Sequence, residues 1–110
     1  MGMMQRGDLV TVALQGDYGK PRPALVIQAD AFEQLTSTVI LPLTSFLQDA
    51  PLLRFQIEPN LQNGLQKTSQ VMIDKITTLP NDKIGAAFGH VTREELLELT
   101  RRLAAILGIG

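Results

Sequence analysis

The sequence has no cysteine, a single histidine and a single tyrosine, and only four phenylalanines. Without cysteine there are no disulfides and no thiolate metal sites, and a reducing compartment suits the chain. One histidine provides no paired-imidazole site. A His/carboxylate cluster at metal-ligand spacing and the glycine patterns of P-loop and Rossmann proteins are missing too, so the sequence predicts no metal and no cofactor. Ser45 and Ser69 lack a Gly-x-Ser-x-Gly setting, which leaves serine hydrolase chemistry unsupported. So few aromatics supply little material for an extended base-stacking sheet of the RRM or OB type. Long apolar runs are absent as well: nothing approaches the roughly 18 residues that span a bilayer. Met1–Arg6 holds no apolar leader, and the expectation is a cytoplasmic protein without membrane contact. A formal net charge of −1 exerts no overall pull on nucleic acid, so any phosphate binding must come from a local cationic patch.

What the chain does have is material for a core. Its 110 residues, 45% hydrophobic and 19% charged, fit one domain spanning positions 1–110 and exclude a disordered tail. No internal repeat, linker or low-complexity segment divides it.

The most informative stretch is Gly16-Asp17-Tyr18-Gly19-Lys20-Pro21-Arg22-Pro23, which runs directly into Ala24-Leu25-Val26-Ile27. Proline fixes its own φ and pushes the preceding residue toward extended geometry, so Pro21 and Pro23 hold Lys20 and Arg22 stiffly at the mouth of a strand. A guanidinium is a rigid fork of donors matched to phosphate oxygens. An Arg preset beside a glycine loop therefore reads either as an anion site or as a solvated strand-end cation.

Asp8–Leu14 alternates apolar and polar residues before turning apolar, as a strand with one well-buried face does. Ala24–Gln28 is short, apolar and partly β-branched, which suits a central strand buried on both faces. Asp30–Glu33 reads either as one capped helical turn or as a loop, with the loop preferred. Thr38–Thr44 is a strand in which Pro42 cannot donate to a ladder, so pairing should stop or bulge there. Leu53–Glu58 alternates and closes on Pro59-Asn60, and Asn63-Gly64 marks a turn. Ser69–Leu79 is the longest β-prone run, with Val71, Ile73 and Lys75 expected on one face and Met72, Asp74 and Ile76 on the other. Lys83-Ile84-Gly85 and Phe88-Gly89-His90 suggest a last short strand or hairpin, with His90 leading into the helix.

The helix itself is signalled by the capping box Thr92-Arg93-Glu94-Glu95, with Val91 and Leu96 placed for a hydrophobic staple. Leu96, Leu99, Leu103, Ile106 and Leu107 recur at helical spacing. Glu98 and Arg102 form a favourable i, i+4 pair, and Gly108 stops the helix. Five to six short strands and one terminal helix predict a mainly β fold, a small β-barrel capped by a helix.

Elimination leaves polar residues at strand ends: Arg22, Thr44, Gln70, Asp74, Lys75 and Thr77. Several blocks resemble the MazF/PemK family of toxin endoribonucleases. They are Arg6-Gly7-Asp8-Leu9-Val10, Lys20 through Ile27, Val39-Ile40-Leu41-Pro42-Leu43-Thr44-Ser45, Asn63-Gly64-Leu65, Ser69-Gln70-Val71 and Asp74-Lys75-Ile76-Thr77-Thr78-Leu79. They occur in the family's order over nearly the whole chain. The resemblance implies an SH3-like barrel (MazF/CcdB-like) with a C-terminal helix, a homodimer, a cognate antitoxin and metal-independent cutting of single-stranded RNA. On it, Arg22 and Thr44 match catalytic positions and Asp74 matches a family Asp, while Met72 stands where some relatives carry Arg. RNA cleavage without metal uses the 2′-OH as internal nucleophile and needs a cation for the phosphorane charge. Arg22 is assigned that charge, Thr44 the orientation of the phosphate, and Asp74 is the candidate base, with an ion pair to a neighbouring cation as its alternative. Lys20, Gln70, Lys75 and Thr77 are expected RNA contacts. The alternative function is a non-enzymatic toxin of the same fold that poisons DNA gyrase by protein binding.

Overall fold

The computed structural model describes residues 4–14 and 20–109. The glycine stretch Gly16–Gly19 expected beside the anion site lies outside the described residues. Among the described residues, seven strands precede one helix: β1 (Asp8–Ala13), β2 (Pro21–Val26), β3 (Ser37–Thr44), β4 (Arg54–Ile57), β5 (Ser69–Met72), β6 (Thr77–Pro80), β7 (Ile84–His90) and α1 (Arg93–Ile106). All pairings are antiparallel, in the order β4-β5-β3-β2-β1-β7, with β6 also on β3.

The continuous apolar run of β2 is explained by burial on both faces. Leu25 joins Leu9, Leu41, Ile57, Val71, Leu99 and Leu103 in the core beneath α1. Ala24 and Val26 face the other way, into a second cluster with Val10, Val12 and Ile40. Complete burial of one such Leu or Ile stabilises the fold by about 1.5–3 kcal/mol. At the opposite end of β2, Pro21 and Pro23 pair with Ala13 and Thr11, whereas the ladder to β3 begins only at Ala24. That edge of the two prolines has no β3 pairing to lose, and Arg22 lies within the strand, opposite Val12, instead of at its mouth.

Two further expectations are corrected. The long run Ser69–Leu79 is not one strand: a 3-10 turn at Ile73–Lys75 separates β5 from β6, so its residues do not keep two continuous faces. Both pieces lie on the same edge of β3, β6 along Ser37–Ile40 and β5 along Leu43–Thr44. Continued inward, one ladder would set Leu41 against Ile73 and the other against Ile76, an offset that the turn absorbs. Pro42, which lacks an N–H, sits where the partner changes, as expected of it. Asp30–Phe32 forms a 3-10 turn in place of a loop, with Asp30 Oδ1 accepting from the Arg6 backbone N–H at 2.7 Å.

The Arg-Gly-Asp start is architectural. Arg6 donates through Nε to the Ile27 carbonyl at 3.2 Å and through Nη2 to Thr100 Oγ1 at 2.6 Å, tying the chain start to the end of β2 and to the helix. Gly7, at φ 98°, bonds Val26 on one side and Val91 on the other. The capping box on α1 is present: Thr92 Oγ1 accepts from the Glu95 N–H, and Glu95 Oε1 from the Thr92 N–H. Val91 and Leu96 both pack on the main core. Of the apolar stripe, Leu99 and Leu103 are buried, but Ile106 and Leu107, at the end of the helix, are exposed.

Candidate active site

Strand alternation places Arg22 on the same face of β2 as Ala24, and Thr44 on the same face of β3 as Pro42, and Ala24 pairs with Pro42. Continuing that register two residues outward sets Arg22 across from Thr44. Both line an open groove of about 1100 Å³, together with Lys20, Ser45, Lys67, Leu65 and Met72. Phe46, just past β3, and Phe88, on β7, also line it. Arg22 is exposed at this surface. Among the described residues, the groove is lined by two lysines, an arginine and several hydroxyls, with no carboxylate and no imidazole. Such a lining offers a phosphate donors and positive charge, and offers a divalent metal few of its usual ligands.

Thr44 is held in a defined way. Its Oγ1 accepts the Phe46 backbone N–H at 3.0 Å, a strand-end turn that directs the hydroxyl proton elsewhere. The hydroxyl that bonds its own backbone, the plainer reading of Thr44, is thus also one that still has a proton to donate.

Of the other expected site residues, Lys20 shares the groove with this pair, whereas Gln70, Asp74, Lys75 and Thr77 do not line it. Gln70 pairs with Thr44 across β5 and β3, but it is only 5% exposed. Its Oε1 accepts from the Gln48 N–H at 3.0 Å, and its Nε2 donates to the Gln48 carbonyl at 3.1 Å and to Gln56 Oε1 at 3.3 Å. An amide so fully engaged is a clamp on the loop after Thr44, not a surface for RNA. Asp74 stands in the 3-10 turn and accepts from Arg54 Nη1, at the start of β4. Partial burial pushes its pKa up, but the hydrogen bond and charge of Arg54, with Lys75 beside it, outweigh that and hold the carboxyl below the usual aspartate range. The ion-pair alternative is what the geometry supports for Asp74. Lys75 is exposed at the end of the same turn, and Thr77 donates its hydroxyl to the Lys75 carbonyl at 2.8 Å on β6. His90 closes β7 opposite Asp8.

Reading the sequence missed Arg54 as the partner of Asp74, and Phe46, Phe88 and Lys67 as groove residues. Only Phe46 had a local signal, since it follows the Thr-Ser strand end directly. A smaller cavity of about 330 Å³ lies between Met4, Gln28, Asp30, Thr38 and Asn81. The side chains of Gln28, Asp30, Thr38 and Asn81 are engaged with one another or with backbone, as in Thr38 to Asn81 at 2.7 Å and Gln28 with Val39. Among the described residues no cluster of three or more His, Asp or Glu is arranged to hold a metal, and no helix is long and apolar enough to cross a membrane.

Residues 5–107 match the model of the PemK-like, MazF-like toxins of type II toxin-antitoxin systems. A probable endoribonuclease MazF from Mycolicibacterium smegmatis is 43% identical over 108 residues, covering 97% of this chain and 99% of that one. In fold, the chain superposes on MazF from Deinococcus radiodurans with a TM-score of 0.82 at 20% identity, covering 99% of this chain and 100% of the other. It also superposes on an endoribonuclease from a mycobacterial species in complex with its cognate antitoxin, with a TM-score of 0.79 at 24% identity and coverage of 100% and 98%.

Proposed function

This chain belongs to the PemK-like, MazF-like toxins of type II toxin-antitoxin systems, and from that premise we propose that it is an endoribonuclease whose cutting site is the groove holding Arg22 and Thr44. The observation that carries the reading is that both residues line one cationic groove, with the β2–β3 register continued past Ala24–Pro42 setting them across from each other. The gyrase-binding alternative finds no support among the relatives named above, two of which are called endoribonucleases.

The reaction follows from what the groove holds. The RNA supplies its own nucleophile: the 2′-oxygen attacks the adjacent phosphorus, the bond to the 5′-oxygen breaks, and the proton lost from the 2′-OH is balanced by one gained at the leaving 5′-oxygen. The products are a 2′,3′-cyclic phosphate and a 5′-hydroxyl. Negative charge accumulates on the non-bridging oxygens as the phosphorane forms. A guanidinium keeps its proton at neutral pH, so Arg22 serves as fixed charge for those oxygens and not as the base. Thr44, whose oxygen already accepts from Phe46, donates its proton to a phosphate oxygen and fixes the phosphate's orientation. Asp74 is occupied by Arg54 and takes no proton in this scheme.

Lys20 and Lys67 extend positive charge along the groove for the flanking phosphates. The same charge suits an acidic segment of a cognate antitoxin, which would occlude the groove by putting carboxylates where phosphates bind. A homodimer accounts for exposed apolar residues such as Leu52 and Leu61, and an mRNA substrate places the activity in the cytoplasm.

Purified protein incubated with single-stranded RNA of mixed sequence in EDTA tests the scheme. Cutting that persists in EDTA and leaves cyclic phosphate ends is the expected result. An oligomer with one 2′-deoxy sugar 5′ to the scissile phosphate should bind and stay intact. Equal cutting of the 2′-deoxy oligomer would rule out the internal nucleophile.

A further inference from the structure

The chain's aromatic side chains are few, and two of its four phenylalanines line the groove that holds Arg22 and Thr44. Phe46 is 71% exposed and Phe88 40% exposed. By contrast, Phe55 packs on the main core, with the Arg102 guanidinium 5.2 Å from its ring centre.

An aromatic left in water is ordinarily on a yielding loop, but Phe46 is anchored on both sides. Its own N–H is bonded to Thr44 Oγ1 at 3.0 Å. Two residues on, Gln48 is gripped through both its N–H and its carbonyl by the buried side chain of Gln70, at 3.0 and 3.1 Å. The ring's attachment is thus fixed relative to the hydroxyl that meets the phosphate, without the ring itself being buried. Phe88 is backed by the turn before β5: a Cβ at Gly64 would come within 3.2 Å of its Cδ1. In sheet order the strand of Arg22 lies between the strand that leads to Phe46 and the strand of Phe88.

Resting on the ribonuclease reading above, we propose that Phe46 and Phe88 are base-stacking residues, which take the nucleobases on either side of the phosphate bound by Arg22 and Thr44. A single-stranded RNA presents a base next to every phosphate, and every base has a π face that a phenyl ring can cover. The site thereby gains affinity that depends on unstacked bases and not on base edges, and it selects single-stranded over paired RNA at the cut.

Binding of a short single-stranded RNA, made uncleavable by one 2′-deoxy sugar at the cut, measures this directly by fluorescence anisotropy. Phe46→Leu and Phe88→Leu keep apolar bulk and lose the ring; each should weaken binding by roughly 5- to 150-fold, the range for one stacked base. Phe46→Tyr should restore it. An oligomer abasic at the stacked position should weaken wild-type binding by the same factor and leave Phe46→Leu unchanged, a coupling that a merely structural role of the ring would not produce. Unchanged binding by both leucine variants would overturn the proposal. So would variants that keep RNA affinity but lose affinity for an acidic antitoxin peptide or for a second copy of the chain, since the rings would then belong to a protein interface. Cleavage of the all-ribose oligomer by the wild type, and its loss in Arg22→Ala, is scored in parallel. If the wild type neither binds nor cuts RNA, the ribonuclease reading fails first and the stacking role with it; if it does both, the phenylalanine variants alone decide.

Discussion

Arg22 lies within β2 and Arg54 opens β4, and the sheet gives the two different surroundings. Arg54 opens β4 with its side chain only 10% exposed, donating to the Asp74 carboxylate and, at 3.0 Å, to the Leu53 carbonyl. Arg22 sits in β2 at an open groove, on the face shared with Thr44 and near two lysines. Both residues carry the same charge and the same fork of donors. What separates them among the described residues is their surroundings: the Asp74 carboxylate ties Arg54 into the architecture, whereas Arg22 lines a groove shared with hydroxyls and two lysines, where we propose that it meets a phosphate. Residue type proposes a role, and strand register assigns it.

The largest expected effect comes from exchanging the two. Arg22→Ala should lower the RNA cleavage rate by about 100- to 1,000-fold, as loss of one donor to a developing oxyanion does. Its melting temperature should stay near that of the wild type. Arg54→Ala should do the reverse, costing about 1 kcal/mol of stability through the lost partner of Asp74 while leaving the rate constant within a few-fold. Parallel cleavage assays and thermal melts of the two variants read the contrast, and a rate loss in Arg54→Ala as deep as that in Arg22→Ala would erase it.

A second variant tests how the groove side of the contrast is held in shape. Gln70→Leu keeps the volume of the buried side chain and removes the clamp on Gln48. The backbone groups it leaves behind lie on a loop that water reaches in part, so a destabilisation of about 1–3 kcal/mol is expected. The cleavage rate should fall as well, though less than in Arg22→Ala, because the Thr44–Phe46 turn loses its brace. Had Gln70 been a direct RNA contact, stability would be untouched and only RNA affinity would move.

These cases also mark how far the sequence could be read. The capping box at Thr92, the Gly108 stop at φ 72° and the apolar runs of β1, β2 and β3 are local signals, and each stands in the structure where its chemistry put it. The break in Ser69–Leu79 was not legible, since it arises because β3 takes two partners on one edge, a fact about pairing and not about composition. The expectation for Arg22 and Thr44 came from the prolines around Arg22 and from the family resemblance, and both residues line one groove. The burial of Gln70 carries no sequence signature, because its partners at Gln48 and Gln56 come from a separate loop and strand. The same holds for Phe46 and Phe88, far apart in sequence and brought to one groove only by the fold.

The smallest effect, and the one that decides whether Asp74 belongs to the fold or to the chemistry, concerns pH. With Arg54 beside it, the Asp74 carboxyl gives up its proton more readily in the folded chain than in the unfolded one, where its value is the ordinary 3.8. A lowered folded-state value means that the unfolded chain binds the proton more tightly. The ion pair's contribution is therefore complete at pH well above 3.8 and is withdrawn as the pH falls through the lower folded-state value. Because the carboxylate is partly open to solvent, at 31% exposure, that contribution is no more than about 1 kcal/mol. Asp74→Asn should remove it at neutral pH and flatten the acid limb of the stability curve, as followed by denaturant titrations between neutral and strongly acidic buffers. Cleavage at neutral pH should be nearly unaffected, since the side chain lies outside the groove and spends its charge on Arg54. If Asp74→Asn instead abolished cleavage while its stability curve overlaid that of the wild type, the carboxylate would be acting as the base for the 2′-OH, and the two arginines would belong to one site.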